Sequence, residues 1–135
     1  MKKLITVLTT VLVIGSLLTG CGNKKLADAF DEKTVITTAE NVIEKLNNGD
    51  YSGVSAQVLE NLQEKLSADI LKSAMVKTAP NAGKFVGYTN TAAVGEKSGE
   101  EDLAVTVIVA AYENQDITYT ITFNTDMKIV RLYMR

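Results

Sequence analysis

The run Leu103-Ala104-Val105-Thr106-Val107-Ile108-Val109-Ala110-Ala111-Tyr112, the break Glu113-Asn114-Gln115-Asp116 and the run Ile117-Thr118-Tyr119-Thr120-Ile121-Thr122-Phe123 decide the fold. Both runs are rich in β-branched and aromatic residues, which suit a pleated, half-buried surface. In the second run Ile117, Tyr119, Ile121 and Phe123 alternate with Thr118, Thr120 and Thr122. A period of two is what a strand with one buried and one wet face requires. In the first run Leu103, Val105, Val107 and Val109 share one face and Thr106, Ile108 and Tyr112 the other. Cover on both faces of that strand is therefore expected. The polar break is far too short for a parallel crossover, so the two runs form an antiparallel hairpin.

Outward from the hairpin, Asn124-Thr125-Asp126 turns the chain into a last strand, Met127 to Met134. On the other side, Phe85 to Val94 reads as a first strand, weakened by Gly87 and Ala92-Ala93, and Gly95 to Glu100 as a turn. Further upstream the period becomes helical. Val35, Ile36, Ala39, Val42, Ile43 and Leu46 form one stripe of a helix over Asp31 to Asn48. Asp31 caps it, Glu32 faces the positive dipole end, and Asn47-Asn48-Gly49 stops it. Tyr51, Val54, Val58, Leu62 and Leu66 continue at helical spacing, with Gly53 as a weak point. Ser67 caps a third helix whose stripe is Ile70, Leu71, Ala74 and Met75, ended by Pro80, Asn81 and Gly83. Helices followed by four strands on short turns make an α+β domain. Its expected form is N-terminal helices packed on the apolar face of a four-stranded antiparallel sheet.

The chain opens differently. Met1-Lys2-Lys3 is basic, and Leu4 to Leu18 is apolar or small with no charge. These are parts of a secretory signal. The run is shorter than the roughly 20 apolar residues of a membrane-spanning helix. It ends in Leu18-Thr19-Gly20-Cys21, which holds the only cysteine. That tetrad resembles the lipobox of bacterial lipoproteins. The resemblance implies recognition of Leu18, Thr19 and Gly20 by signal peptidase, cleavage before Cys21, and a diacylglyceryl group on its sulfur. Two acyl chains, at about 0.8 kcal/mol per buried CH₂, would anchor the mature protein to the membrane lipid stably. The expected organisation is a signal peptide over residues 1–20, a lipidated tether over 21–30 and one domain over 31–135. The expected location is the extracytoplasmic face of the cell membrane.

Composition narrows the chemistry. Residues 21–135 carry 12 basic and 16 acidic side chains. This mild acidity argues against nucleic acid as a partner. The one dense charge run, Glu100-Glu101-Asp102, reads as a solvated hairpin tip. The chain has no histidine. The usual general base near neutral pH, Ser-His-Asp sites and histidine-ligated zinc are therefore excluded. No phosphate-cradling or dinucleotide-binding glycine motif is present, and no cofactor or metal is expected.

Three segments carry a second resemblance. They are Leu46-Asn47-Asn48-Gly49-Asp50-Tyr51, the leucine-spaced segment leading into Leu66-Ser67, and Phe123-Asn124-Thr125-Asp126-Met127-Lys128-Ile129. Over about Asp31 to Met134 the chain resembles domain-of-unknown-function family 3887. The resemblance implies a cone-like fold of the cystatin-like or nuclear-transport-factor-like type, and no catalytic residues. Met127 stands where that family usually has a glycine before the lysine of the last turn. Such domains sometimes precede a serine hydrolase; none is expected after Arg135.

Cones of this type often enclose a pocket between sheet and helices. Tyr88, Tyr119, Arg131 and Tyr133 are the polar-tipped candidates to reach it. The tyrosines can equally be amphipathic packing residues. Arg131 suits a carboxylate or phosphate, or else serves as a charge against sheet-to-sheet pairing. Asp50, Glu60 and Glu64 are the candidates for carboxylate chemistry, with Glu60 and Glu64 on one helix face. Like charges there are ordinarily just solvated. The Thr118-Thr120-Thr122 ladder is either a binding face or good strand formers facing water. No carboxylate falls on an apolar stripe. The expectation is a non-catalytic binding or accessory domain for an envelope component, protein or peptide. A small carboxylate- or tyrosine-based enzyme and a structural spacer are the alternatives.

Overall fold

Four strands form one antiparallel sheet in chain order: β1 Phe85–Ser98, β2 Glu101–Tyr112, β3 Asp116–Phe123 and β4 Ile129–Met134. Three helices precede them, α1 Glu32–Asn47, α2 Tyr51–Ala56 and α3 Ala68–Thr78, with a 3₁₀ turn at Glu60–Leu62. This is the α+β architecture of helices followed by an open antiparallel sheet. The computed structural model describes residues 25–135. Leu18, Thr19, Gly20, Cys21 and the rest of the signal lie outside the described residues. No described helix is long and apolar enough to cross a membrane.

α1 is the helix on which the sheet is covered. The Asp31 carboxylate accepts from the backbone N–H of Thr34 at 3.0 Å and from its hydroxyl at 2.7 Å. These bonds hold the Asp31 carboxyl below the usual range. Val35, Ala39, Val42, Ile43 and Leu46 are buried along the predicted stripe. Each such aliphatic side chain larger than alanine stabilises the fold by roughly 1.5–3 kcal/mol. The end is a Schellman motif: Asp50 N–H donates to the Lys45 carbonyl at 2.8 Å and Gly49 N–H to that of Leu46 at 3.2 Å. Gly49 supplies the left-handed φ of 75° that this stop needs.

The second helical stretch differs from the expectation. It is helical only over Tyr51–Ala56, and Gly53 does not break it, since its N–H donates to the Asp50 cap at 3.0 Å. The helix stops because the next residues find a better partner. Val58 bridges Ile129 in parallel, Ile129 N–H donates to the Gln57 carbonyl and Leu59 N–H to the Ile129 carbonyl, both at 2.9 Å. The helical spacing of Val58, Leu62 and Leu66 therefore does not mark one continuous helix: Val58 is buried at its bridge, and Leu62, in the 3₁₀ turn, and Leu66 are partly buried. α3 begins at its Ser67 cap. Of its expected stripe only Leu71 is fully buried, and Ile70 is exposed.

The sheet departs from expectation in three places. β1 continues past Val94 to Ser98, so the turn shrinks to Gly99-Glu100. Backbone pairing is indifferent to the polarity of Glu96, Lys97 and Ser98. β4 begins at Ile129 because Met127 takes a left-handed φ of 57° in the turn before it. There Asn124 Oδ1 accepts from the N–H groups of Asp126 (3.0 Å) and Lys128 (2.9 Å), and Met127 N–H donates to the Asn124 carbonyl at 2.9 Å. This is a turn closed by a left-handed bulge residue, a position that glycine fills at least cost. Finally, β2 is fully covered on one face and only partly on the other, where Leu103 is buried and Val105 and Val109 are half-buried. Ala104, Thr106, Ile108, Ala110 and Tyr112 are buried, whereas Val107 is 37% exposed. The helices supply a single layer, and the Thr106 hydroxyl becomes tolerable inside by donating to the Ile121 carbonyl at 2.7 Å.

The chain enters across the far end of β1. Gly95 lies so close to the Lys25 carbonyl that a Cβ there would sit 2.3 Å from its oxygen. Leu26 and Ala27 then pack on the core beside Phe30.

Candidate functional site

At the other end of the sheet, the C-terminal ends of α1 and α3, the segment that follows α3 and the start of β1 leave a cleft of about 520 Å³. Its apolar wall includes Leu46, Met75, Pro80, Phe85 and Ile117; Tyr51, Tyr112, Asn47, Asn48 and Lys84 add polar groups. Local structure explains each position. Asn47 is the last residue of α1, four after the buried Ile43, so its amide extends the apolar stripe. Tyr112 closes the inward-facing row of β2, and Met75 lies in the last turns of α3.

A hydrogen-bonded chain runs behind the cleft wall. The Tyr112 hydroxyl donates to Asn47 Oδ1 at 2.5 Å and lies 2.6 Å from the Tyr119 hydroxyl. The Tyr119 hydroxyl in turn lies 3.8 Å from Met75 Sδ. Phe85 packs edge-on to Tyr112, with centroids 5.7 Å apart, and tilted against Tyr88 at 5.0 Å. The Tyr88 hydroxyl donates to the Glu40 carbonyl at 3.1 Å. Asn47 Nδ2 is buried and has no hydrogen-bond partner among the described residues.

These phenols stay neutral. Burial first, then the charges of Glu44 and Glu40, push Tyr88 up to about 12. Burial raises Tyr112, and burial followed by the bond to Tyr112 raises Tyr119 further. None of these three phenols is poised to act as base or nucleophile near neutral pH.

The four predicted pocket residues divide. Tyr88 and Tyr119 lie together on the inner face. Arg131 and Tyr133 stand on the outer face, opposite Thr122 and Thr120 in register. Arg131 forms an ion pair with Glu96 of β1, across the width of the sheet. That carboxylate occupies the guanidinium from within the chain. Thr118 and Thr120 are half-buried on the same outer face, and Thr122 is buried. Asp50 serves as the cap of α2. Glu60 and Glu64 do not share a helix face, because Glu60 begins the 3₁₀ turn and Glu64 follows it; both are exposed. The sequence reading missed Asn47, Lys84 and Tyr112 as site residues. Asn47 was legible as an amide continuing an apolar stripe. Lys84 joins only through the tertiary path of its loop.

The same arrangement of helices and sheet recurs in a solved structure. The NMR structure of a protein from Ruminococcus gnavus ATCC 29149 is similar over 83% of this chain and 97% of that one, with a TM-score of 0.73 and 25% identity. No curated protein matches the chain. The helix stop at Asn47-Asn48-Gly49, the Asp50 cap and the bulged turn at Met127 all fall within residues 39–132. Over those residues the sequence matches the family model described as "Protein of unknown function (DUF3887)", and the chain belongs to that family.

Proposed function

We propose that this protein is an extracytoplasmic lipoprotein, anchored through acylated Cys21, whose domain works by binding rather than by catalysis. The observation that carries the binding reading is the wall of the cleft. Its polar groups are two tyrosines, amides and one lysine, and none of its lining residues is a carboxylate. An open cleft of this size, its exposed wall about half apolar and carrying a few convergent polar groups, has the character of a ligand site. Acid–base chemistry would need a group with its pKa brought toward neutrality, and the tyrosines move away from it. The lipobox-like tetrad supports the anchor. The landing of Lys25 on Gly95 supports an orientation. About ten residues of β1, some 30 Å of extended strand, separate Gly95 from Phe85 in the cleft. The cleft then opens at the pole away from the tether, toward the cell envelope.

Two measurements test this. Acyl labelling and membrane fractionation of Cys21→Ser should show an unprocessed, unlabelled precursor. Normal labelling of that variant would remove the anchor from the proposal. NMR titration of the protein with a small-molecule extract of the envelope should move resonances of Asn47, Tyr51 and Phe85. Shifts confined to Val107 and Tyr133 would transfer the binding reading to the outer sheet face.

A further inference from the structure

The polar groups of the cleft do not balance, and the imbalance specifies a ligand. We propose that the cleft takes a small apolar carboxylate, with its charge at Lys84 and one oxygen on the Asn47 amide. This rests on the reading of the cleft as a ligand site.

The donors are in excess. Asn47 Oδ1 is taken by Tyr112, while Asn47 Nδ2 is buried with no partner among the described residues. A buried N–H left unpaired is costly, and an acceptor entering the cleft would relieve it. The charge is one-sided as well. Lys84 is the only ionised residue lining the cleft. Its ammonium makes no ion pair among the described residues. The neighbouring carboxylate, Glu113, is engaged by the chain itself: its Oε1 accepts the backbone N–H of Lys84 at 2.7 Å. A ligand anion therefore meets one cation in the cleft and, buried in the wall that Asn47 lines, one unpaired N–H. About half of the exposed wall is apolar, and that part suits hydrocarbon. Phe85, Met75, Pro80 and Ile117 offer aromatic and aliphatic contact with no further charge. A cation would face Lys84, and a fully polar ligand would leave this wall unsatisfied. The carboxylate can belong to a free acid or to the C-terminus of a peptide ending in an apolar residue. The chemistry recognised is the same.

The test uses the full lipidated chain in nanodiscs, with empty nanodiscs as the blank, followed by NMR. The probes are phenylpropionate, its primary amide, and N-acetylphenylalanine. The acid should bind about tenfold or more tighter than the amide, as expected for a charge-assisted pair. Its binding should shift the Asn47 side-chain amide. Lys84→Met, at the open rim, should abolish the preference for the acid, and Asn47→Asp should abolish acid binding by repulsion. Tighter binding of N-acetylphenylalanine than of phenylpropionate would support a peptide terminus as source, and the reverse a free acid. Equal affinity of acid and amide, or a Lys84→Met variant that keeps the preference, overturns the carboxylate and leaves the cleft a site. Cleft resonances that no probe moves overturn the carboxylate, while shifts with the envelope extract would still uphold the site.

Discussion

The two faces of one sheet behave as two different materials. On the inner face Ile108, Ile117, Tyr119, Ile121 and Phe123 are wholly buried under α1. On the outer face Val107 is 37% and Tyr133 62% exposed, and Thr118 and Thr120 are half-buried. The residues on the two faces are equally good strand formers. The difference comes from what lies above them among the described residues: five buried side chains of α1 on one side, and the Arg131–Glu96 pair reaching across the other. Strand propensity builds both faces, and a covering helix turns one of them into the core. The inner face also ends in the cleft, so the layer that stabilises the domain is the one that shapes its site.

That contrast can be broken by substitution. Phe123→Ala on the inner face should cost about 3–5 kcal/mol, the usual loss for a buried phenylalanine, read by denaturant unfolding. A loss under about 1 kcal/mol would mean the core lies elsewhere.

Alkali should attack the inner face next. Tyr88 ionises near 12 in the folded protein against 10.0 for a free phenol. A folded value above the unfolded one contributes stability that is complete below pH 10 and lost as pH rises toward 12. Unfolding followed against pH should therefore show an alkaline decline, and Tyr88→Phe should make it shallower, the raised Tyr112 and Tyr119 supplying the remainder. An identical decline in the variant would show that Tyr88 is free in solution.

The turn that sets β4 against β3 should be more modest. Met127→Val forces a β-branched side chain into the left-handed region and should cost about 1–2 kcal/mol. Met127→Gly should stay within about 1 kcal/mol of wild type, since relieved strain is offset by a looser unfolded chain. Equal losses in both variants would place the contribution of Met127 in packing.

The outer face should respond least. Arg131→Ala removes a half-exposed ion pair worth about 0.2–1 kcal/mol, and the loss should shrink in high salt. Val107→Thr should change stability by no more than about 0.5 kcal/mol. A large loss at Val107 in the isolated protein would show that this face is covered in solution.

Much of the fold was legible because the dominant signals are local. The stripe from Val35 to Leu46, the caps Asp31 and Ser67, the stop at Gly49 and the alternation from Ile117 to Phe123 each state their structure within a few residues. The reading failed where a distant partner decided. Val58 left helical geometry to pair with Ile129, and Val107 on the outer face of β2 stays exposed because the described helices lie on the other face. Of the candidate site, Tyr119 was legible from the alternation of its strand, while Tyr88 required its contact with α1, and Arg131 and Tyr133 the register of β4. A bulge at the β3–β4 end shifts that register, and one residue of slip exchanges the two faces.

Composition and short-range pattern thus determined the class of this protein. It is an α+β chain with a lipobox-like N-terminus, without histidine and with a half-buried strand pattern from Ile117 to Phe123. Hydrophobic periodicity is sufficient for that, because burial of a stripe or a face is a property of neighbouring residues. Only the tertiary structure decided that Asn47, Lys84 and Tyr112 line one cleft and that Arg131 is spent on Glu96. Those meetings join residues 28 to 65 positions apart in sequence. They depend on helix docking and strand register, which no local period encodes.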